Sequence, residues 1–294
     1  VLELLGARPG SVVTLKDVPG ENGSWLATTG DGRRVVLRRY HFRATEADLA
    51  YEHAVLTYLS DRDWVVPAPV SGLCEYDGLF YCLTRHVPGT AVASERAAQQ
   101  RRRGRDLARL HLALRGLGER IGQRPGWRTQ HTGFTVHTAL DWQACVLALT
   151  EASPRLGNWL GAAAAQAHAA LAALGADSLP LLVVHGDFAE WNVHYDRGRL
   201  SGVIDFGLTH LDSRPYELAI ARTYRAPLVI EAYRTELARL SWPLSDLEEA
   251  AIDPVYRAFR VDMAAWPAEQ LLRGGEANLA VIERQLARTG TRPA

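Results

Sequence analysis

Apolar and polar positions along the first part of the chain follow a strand-like pattern. Ser11–Asp17, Ser24–Thr29 and Arg33–Tyr40 carry β-branched and apolar residues between turn signals, and each predicts a strand. Thr29-Gly30-Asp31-Gly32 predicts a hairpin turn between the last two. The period then changes. Thr45, with Asp48 three residues on, marks a helix start, and Leu49, Leu56 and Leu59 mark its buried side. Pro67 and Pro69 end that segment, the turn Glu75-Tyr76-Asp77-Gly78 leads into a strand at Leu79–Thr84, and Pro88-Gly89 breaks the chain.

Beyond Gly89 the pattern is helical. Leu107, Leu110, Leu114 and Leu117 recur at spacings of three and four, and Ala162–Leu174 is dominated by helix-favouring alanine. Leu181–Val184 predicts a short buried strand. Val193–Tyr195 and Leu200–Ile204 flank Asp196-Arg197-Gly198-Arg199 and predict a second hairpin. From Tyr216 onward the pattern is again helical, with expected interruptions at Pro227, Pro243, Pro254 and Pro267. The fold class expected is α+β and bilobal. Residues 1–87 form a small antiparallel-sheet lobe with one helix, and 88–294 a larger, mainly helical lobe. The hinge falls at about residues 84–89.

The candidate chemistry lies in His185-Gly186-Asp187-Phe188-Ala189-Glu190-Trp191-Asn192 and in Ile204-Asp205-Phe206-Gly207. Asp187 follows a buried strand, Asn192 precedes the first arm of the hairpin, and Asp205 follows the second. An antiparallel hairpin brings its ends together, so Asn192 and Asp205 are expected side by side with Asp187 one short loop away. Two oxygen ligands and a third carboxylate suit Mg2+ and phosphates. Phosphoryl transfer uses such a set, one carboxylate to orient the attacking hydroxyl and a carboxylate and an amide to hold the metal. The spacing His-x-Asp-x4-Asn, then Asp-Phe-Gly, is that of kinase catalytic and metal loops.

On these residues the chain resembles the aminoglycoside phosphotransferase-like branch of the protein-kinase-like fold, which also holds choline kinases and a homoserine kinase group. The resemblance implies Asp187 as catalytic base, Asn192 and Asp205 as metal ligands, and His185, Glu190 and Trp191 as supporting residues. Glu190 stands where many relatives have Pro, and is either a substrate contact or a solvated neighbour. Trp191 abuts the metal loop. Val35-Val36-Leu37-Arg38 looks like the segment that carries a phosphate-binding lysine in kinases, with arginine in its place, a cation that also binds phosphate. A strand period puts Val36 and Arg38 on one face, and Glu52 of the following helix is the natural partner of Arg38. Asn22, Gly23 and Ser24 resemble the Glu-Asn loop of the homoserine-kinase-like relatives and are expected over the nucleotide phosphates. Leu83–Gly89 looks like the family's hinge, where the Arg85 carbonyl and the Val87 N–H meet the nucleotide base. His111 resembles a packed histidine that supports the catalytic loop.

The resemblance implies ATP or GTP as donor, Mg2+ as cofactor and a small hydroxylated acceptor. That acceptor is an aminoglycoside or other antibiotic, an amino acid, an amino alcohol, a nucleoside or a sugar. An aminoglycoside site needs acidic residues, and Glu231, Glu236, Asp253, Asp262 and Glu269 are the candidates. Only Leu208–Pro215 separates Asp-Phe-Gly from the next helix. This leaves no room for the long activation segment of most protein kinases and favours a small-molecule acceptor. A short bacterial-type protein Ser/Thr kinase and a nucleotide-binding pseudokinase are the alternative readings.

Composition narrows the classes further. Acidic and basic residues balance at 33 each, so no net charge draws the chain to nucleic acid or to an anionic membrane. Lys16 is the sole lysine, so any other catalytic cation is Arg or His. The odd cysteine count of 3, without metal-ligand spacing, reads as buried thiols of a reducing compartment. With no apolar run of transmembrane length and no signal-peptide layout at Val1–Gly10, a cytoplasmic protein is expected. The basic run Arg101-Arg102-Arg103-Gly104-Arg105 reads as a solvated helix start.

Overall fold

The computed structural model describes residues 12–18, 23–29, 32–41, 44–92, 96–138 and 140–291. The chain divides into two compact units, 1–93 with 190–207, and 94–189 with 208–294.

In the first unit, β1 (Val12–Val18), β2 (Ser24–Thr29) and β3 (Arg34–Arg39) pair antiparallel in sequence order. β3 then pairs with β5 (Leu79–Arg85), which pairs with β4 (Cys74–Tyr76), giving the order β1-β2-β3-β5-β4. Helix α1 (Glu46–Ser60) joins β3 to β4. The Thr45 side chain accepts from the Asp48 N–H at 3.2 Å, so the predicted cap forms. Leu49 of α1 packs against Tyr40 and Cys82, while Val55, Leu56 and Leu59 are also fully buried.

The hairpin of β8 (Val193–Asp196) and β9 (Arg199–Val203) belongs to this same unit. Arg197 (φ 45°) and Gly198 (φ 77°) turn it in the left-handed conformation that suits a two-residue hairpin loop. β6 (Thr90–Ala91) pairs with β8, and the Val203 N–H donates to the Val65 carbonyl at 3.0 Å. Gly202 permits the approach, since a Cβ there would stand 2.6 Å from the Val65 carbonyl oxygen.

The second unit is helical. It holds α2 (Ala97–Leu114), α3 (Leu117–Ile121), α4 (Trp142–Ala152), α5 (Pro154–Leu174), α6 (Arg214–Thr223), α7 (Pro227–Arg239), α8 (Asp246–Leu272) and α9 (Leu279–Ala287). Two strands, β7 (Leu181–Val184) and β10 (His210–Ser213), pair antiparallel. Leu171, Val184, Tyr216, Ile220, Val255 and Phe259 share one core. The basic run departs from its expected form, because Arg103 is buried and Gly104 meets α7. A Cβ at Gly104 would lie 2.2 Å from the Val229 carbonyl oxygen.

The expected proline interruptions hold only in part. Pro227 occupies the first turn of α7, where its missing N–H removes no helical bond, and Pro243 falls between α7 and α8. Pro254 and Pro267 lie inside α8. An interior proline costs about 3 kcal/mol, whereas each buried large apolar side chain returns about 2 kcal/mol. Ile252, Val255, Tyr256, Phe259 and Val261 are all buried on this helix, so it runs on. A capping box formed by Ser245 and Glu248 fixes its start.

Candidate active site

In the second unit, β7 ends at Val184 and delivers His185, Gly186 and Asp187. Gly186 turns with φ 88°, and a Cβ there would stand 2.1 Å from the Leu208 carbonyl oxygen. Only glycine meets both requirements. The loop hangs on one carboxylate. Glu217, in the first turn of α6, accepts from the N–H groups of His185 (2.8 Å), Gly186 (3.2 Å) and Phe188 (3.1 Å). Burial opposes ionisation of Glu217. His111, His185 and the Phe188 N–H outweigh it and hold the carboxyl below its usual range. His111 of α2 is fully buried, 2.7 Å from the Tyr233 hydroxyl through Nδ1 and 3.7 Å from Glu217 through Nε2. It therefore supports the loop through Glu217. The Asp187 N–H donates to His185 Nδ1 at 3.1 Å, and the His185 ring packs edge-on to Phe188. Asp187 is half-buried. Burial, then Asp187, pushes the nearby Tyr224 phenol up to about 12.

In the first unit, the Asn192 carbonyl accepts from the Ile204 N–H at 2.9 Å, and Val193 pairs with Val203. The hairpin thus sets Asn192 beside the residue that precedes Asp205. Asn192 is buried, whereas the Asp205 side chain is 48% exposed. Asp205 has φ 61°, a left-handed conformation rare for a non-glycine residue. Its Oδ1 lies 3.3 Å from Arg38 Nη2. Arg38 Nη1 donates to Glu52 Oε1 at 2.9 Å, and both members of this pair are buried. Burial works against the Arg38 charge, but Glu52, Tyr40 and Asp205 more than offset it, so its pKa is raised. The guanidinium also lies 4.9 Å from the centre of the Tyr40 ring.

Among the described residues, no three of His, Cys, Asp and Glu gather as a metal cluster. Magnesium does not need one, since it is commonly held by one or two carboxylates with substrate phosphates and water. An exposed Asp205 carboxylate anchored through one oxygen, on the same hairpin end as the Asn192 amide, fits that hard-oxygen chemistry.

The remaining predicted residues fall in the first unit, apart from His185. Gly23 accepts from the Arg39 N–H at 2.7 Å, and Ser24 is opposite Arg38 in the sheet. Asn22 lies outside the described residues. Val36 is half-buried opposite Leu26 and Thr84. The Arg85 side chain donates to the Ser60 hydroxyl at 3.1 Å, and Val87 is buried against Gly202. Glu190 is half-buried and Trp191 is 44% exposed. The structure thus brings Arg38, Glu52 and Asp205 together, sets Asn192 at the same hairpin end, and builds His185 and Asp187 into the loop of the other unit. Sequence reasoning missed Glu217. Its one local signal was an acid among the apolar residues of a helix start.

Comparison with known proteins identifies the family. The chain belongs to the phosphotransferase enzyme family APH, which it matches over residues 14–253. A homoserine kinase of Caulobacter vibrioides (strain NA1000 / CB15N) is 29% identical over 206 residues, covering 68% of this chain and 61% of the relative. This chain therefore spans about three fifths of that relative's length. A thermostable mutant of the aminoglycoside phosphotransferase APH(4)-Ia shares the fold, with a TM-score of 0.66, 20% identity, and coverage of 99% of this chain and 97% of the other. The amicoumacin kinase hAmiN, solved with AMP-PNP, Ca2+ and Ami, has a TM-score of 0.66 and 16% identity, covering 96% of this chain and 88% of its own. Among the described residues, no helix is long and apolar enough to cross a membrane.

Proposed function

We propose that the protein is a small-molecule kinase that moves the γ-phosphate of ATP or GTP onto a hydroxyl, with Mg2+. The observation that carries this reading is the Arg38 guanidinium shared between buried Glu52 and Asp205. It fixes a cation beside a candidate metal carboxylate, as a triphosphate site requires. Asn192 and Asp205 would hold Mg2+, which, when bound, offsets charge on the transferring phosphoryl group. Arg38 binds donor phosphate oxygens. Asp187 orients the acceptor hydroxyl and takes its proton as that oxygen bonds to the γ-phosphorus. The bond from the γ-phosphorus to the bridging oxygen breaks, and the nucleoside diphosphate leaves. The buried Glu217 keeps the Asp187 loop in one shape through this exchange.

The same reading favours a small acceptor that is not polycationic. The run from Gly207 to α6 holds only a short 3₁₀ turn and β10, too little for a protein-substrate segment. Four of the five acids considered for an aminoglycoside site already pair with arginines, and the fifth is buried. Glu231 lies 3.9 Å from Arg101 and Glu269 lies 3.5 Å from Arg273. Glu236 bonds both Arg109 and Arg239, and Asp253 pairs with Arg222. Asp262 is buried, with its carboxyl pushed up to about 7 by that burial. A hydroxylated amino acid, as the name of the Caulobacter relative indicates for that protein, is therefore the acceptor we place first.

A transfer screen tests the reading. Purified protein, Mg2+ and labelled ATP or GTP are mixed with hydroxylated amino acids, amino alcohols, sugars, nucleosides and aminoglycosides, with Asp187→Asn as the blank. The expected result is label on one small-molecule class, lost in the blank while nucleotide binding persists. Label transferred to a protein substrate alone, or nucleotide bound with no transfer to any acceptor, would point to the protein-kinase or pseudokinase alternative.

A further inference from the structure

The residues that lead into β10 lie against the loop that carries Asp187. A Cβ on Gly186 would stand 2.1 Å from the Leu208 carbonyl oxygen and 2.5 Å from its carbonyl carbon, so this peptide group fills the space beside the Gly186 backbone. The neighbouring residue is tied down at two polar groups. The Thr209 hydroxyl donates to the Val184 carbonyl at 2.6 Å, and the Thr209 carbonyl accepts from Arg124 Nη1 at 2.8 Å. The Leu208 carbonyl is met by His210, whose Nδ1 lies 2.8 Å away. A carbonyl oxygen only accepts, so Nδ1 carries the proton of this bond.

The His210 ring is itself held. Its Nε2 faces Asp212 Oδ2 at 3.3 Å. The Asp212 carboxylate is fixed in turn, since Oδ2 accepts from the Gln130 N–H at 2.7 Å and Oδ1 from the Ser213 N–H at 2.6 Å. The imidazole is fully buried, Trp127 stacks on it with ring centres 5.1 Å apart, and Tyr216 packs edge-on at 5.0 Å. A ring locked on both edges and on one face presents its Nδ1–H in one direction, toward Leu208. This matters at Gly186. Glu217 anchors the loop by its N–H groups, but Gly186, with φ 88° and no side chain, is the most pliable point directly before Asp187. The Leu208 carbonyl confines that point. If it moved away, Gly186 could rotate and carry Asp187 with it, and a displacement of about 1 Å can cost about 100-fold in rate.

We propose that His210 is a positioning residue for Asp187: its Nδ1–H holds the Leu208 carbonyl in place, and that carbonyl confines the Gly186 backbone from which Asp187 follows. The proposal rests on the phosphotransfer reading for the role of Asp187, but the confinement of the loop is tested separately.

Two amide variants separate the two edges of the ring. An asparagine amide nitrogen is as many bonds from the backbone as Nδ1, and a glutamine amide nitrogen as many as Nε2. His210→Asn therefore keeps a donor for Leu208, whereas His210→Gln keeps one for Asp212 alone. Each variant gives up one bond, so the two should unfold within about 4 °C of each other. Hydrogen exchange of the amides at 185–189 should stay native in His210→Asn and speed up about 10-fold or more in His210→Gln. With the acceptor found by the transfer screen, kcat should fall about 100-fold in His210→Gln, His210→Asn should rescue it to within about 3-fold of native, and KM for the nucleotide should be unchanged in both. A merely structural histidine would give equal exchange and equal kcat in the two variants, and that result would overturn the proposal. Nitrogen-15 NMR of the native protein needs no variant to be active. The His210 ring signal, assigned by its loss in His210→Asn, should show a proton on Nδ1, and a bare Nδ1 would overturn the proposal even if His210→Gln does not fold. Faster exchange at 185–189 in His210→Gln, with no transfer by the native protein to any acceptor, would keep the confinement and remove the kinase reading. Transfer by the native protein, with equal exchange and kcat in the two variants, would do the reverse.

Discussion

The Arg38–Glu52 pair allows structural and functional roles to be separated in one experiment. Glu52 is 1% exposed and Arg38 is 7% exposed, so neither charge is stabilised by water. Arg38→Met leaves the Glu52 carboxylate buried without its cation, and breaking such a pair costs about 3–5 kcal/mol. The contact from Arg38 to Asp205 adds little, because the Asp205 side chain is 48% exposed and exposed pairs contribute about 0–1 kcal/mol. At about 2–4 °C per kcal/mol, the single variant should unfold about 10 °C lower than the native protein. Replacing both members by apolar residues, Arg38→Met with Glu52→Leu, removes the orphan charge and should restore most of the lost stability. It does not restore a phosphate-binding cation. The stable double variant should therefore bind MgATP about 10- to 100-fold more weakly, the value of one or two charge-assisted bonds. Thermal unfolding and nucleotide titration on the native, single and double forms supply both readouts. A double variant as unstable as the single one would show that the two charges are not one energetic unit. A double variant that binds MgATP as tightly as the native protein would remove Arg38 from the nucleotide site.

The other predictions concern the loop, the metal ligand and one buried acid. Glu217→Gln keeps the shape but loses the charge that holds three N–H groups, and kcat should fall about 100-fold through misplacement of Asp187, with nucleotide affinity unchanged. Gly186→Ala forces a side chain into a φ of 88° against a backbone oxygen, and should cost at least about 2 kcal/mol in denaturant unfolding. Asp205→Ala should weaken nucleotide binding about 10- to 100-fold in Mg2+ and little in its absence, and equal losses in both conditions would refute the metal assignment. Asp262 has its pKa raised from 3.8 to about 7 by burial, so the folded chain holds a proton there that the unfolded chain has released. Stability should therefore fall as pH rises from about 4 to about 7 and level off above that, by an amount on the order of a few kcal/mol. Asp262→Asn should flatten this slope, and a slope unchanged in that variant would show that another group causes it.

What the sequence made legible is what it encodes over short distances. The hairpin from Val193 to Val203 follows from strand patterning around a turn with Arg197 and Gly198 at positive φ. The hairpin alone then sets Asn192 beside Ile204 and next to Asp205. The Arg38–Glu52 pair was accessible for a similar reason, since a strand period and a helix period each select one residue. Residues whose environment depends on distant pairing were not accessible. β10 reads His-Leu-Asp-Ser, too polar to announce a strand, yet its pairing with β7 forms part of the core in which Glu217 is buried. Without that pairing, Glu217 looks like a solvated acid in the first turn of a helix. Arg260 likewise looks like one arginine among many, and its burial without a hydrogen-bond partner among the described residues appears only when α8 is packed. The arginine-rich composition sharpens this contrast. Four of the five acids that composition offered to a cationic acceptor are engaged by arginines of this chain.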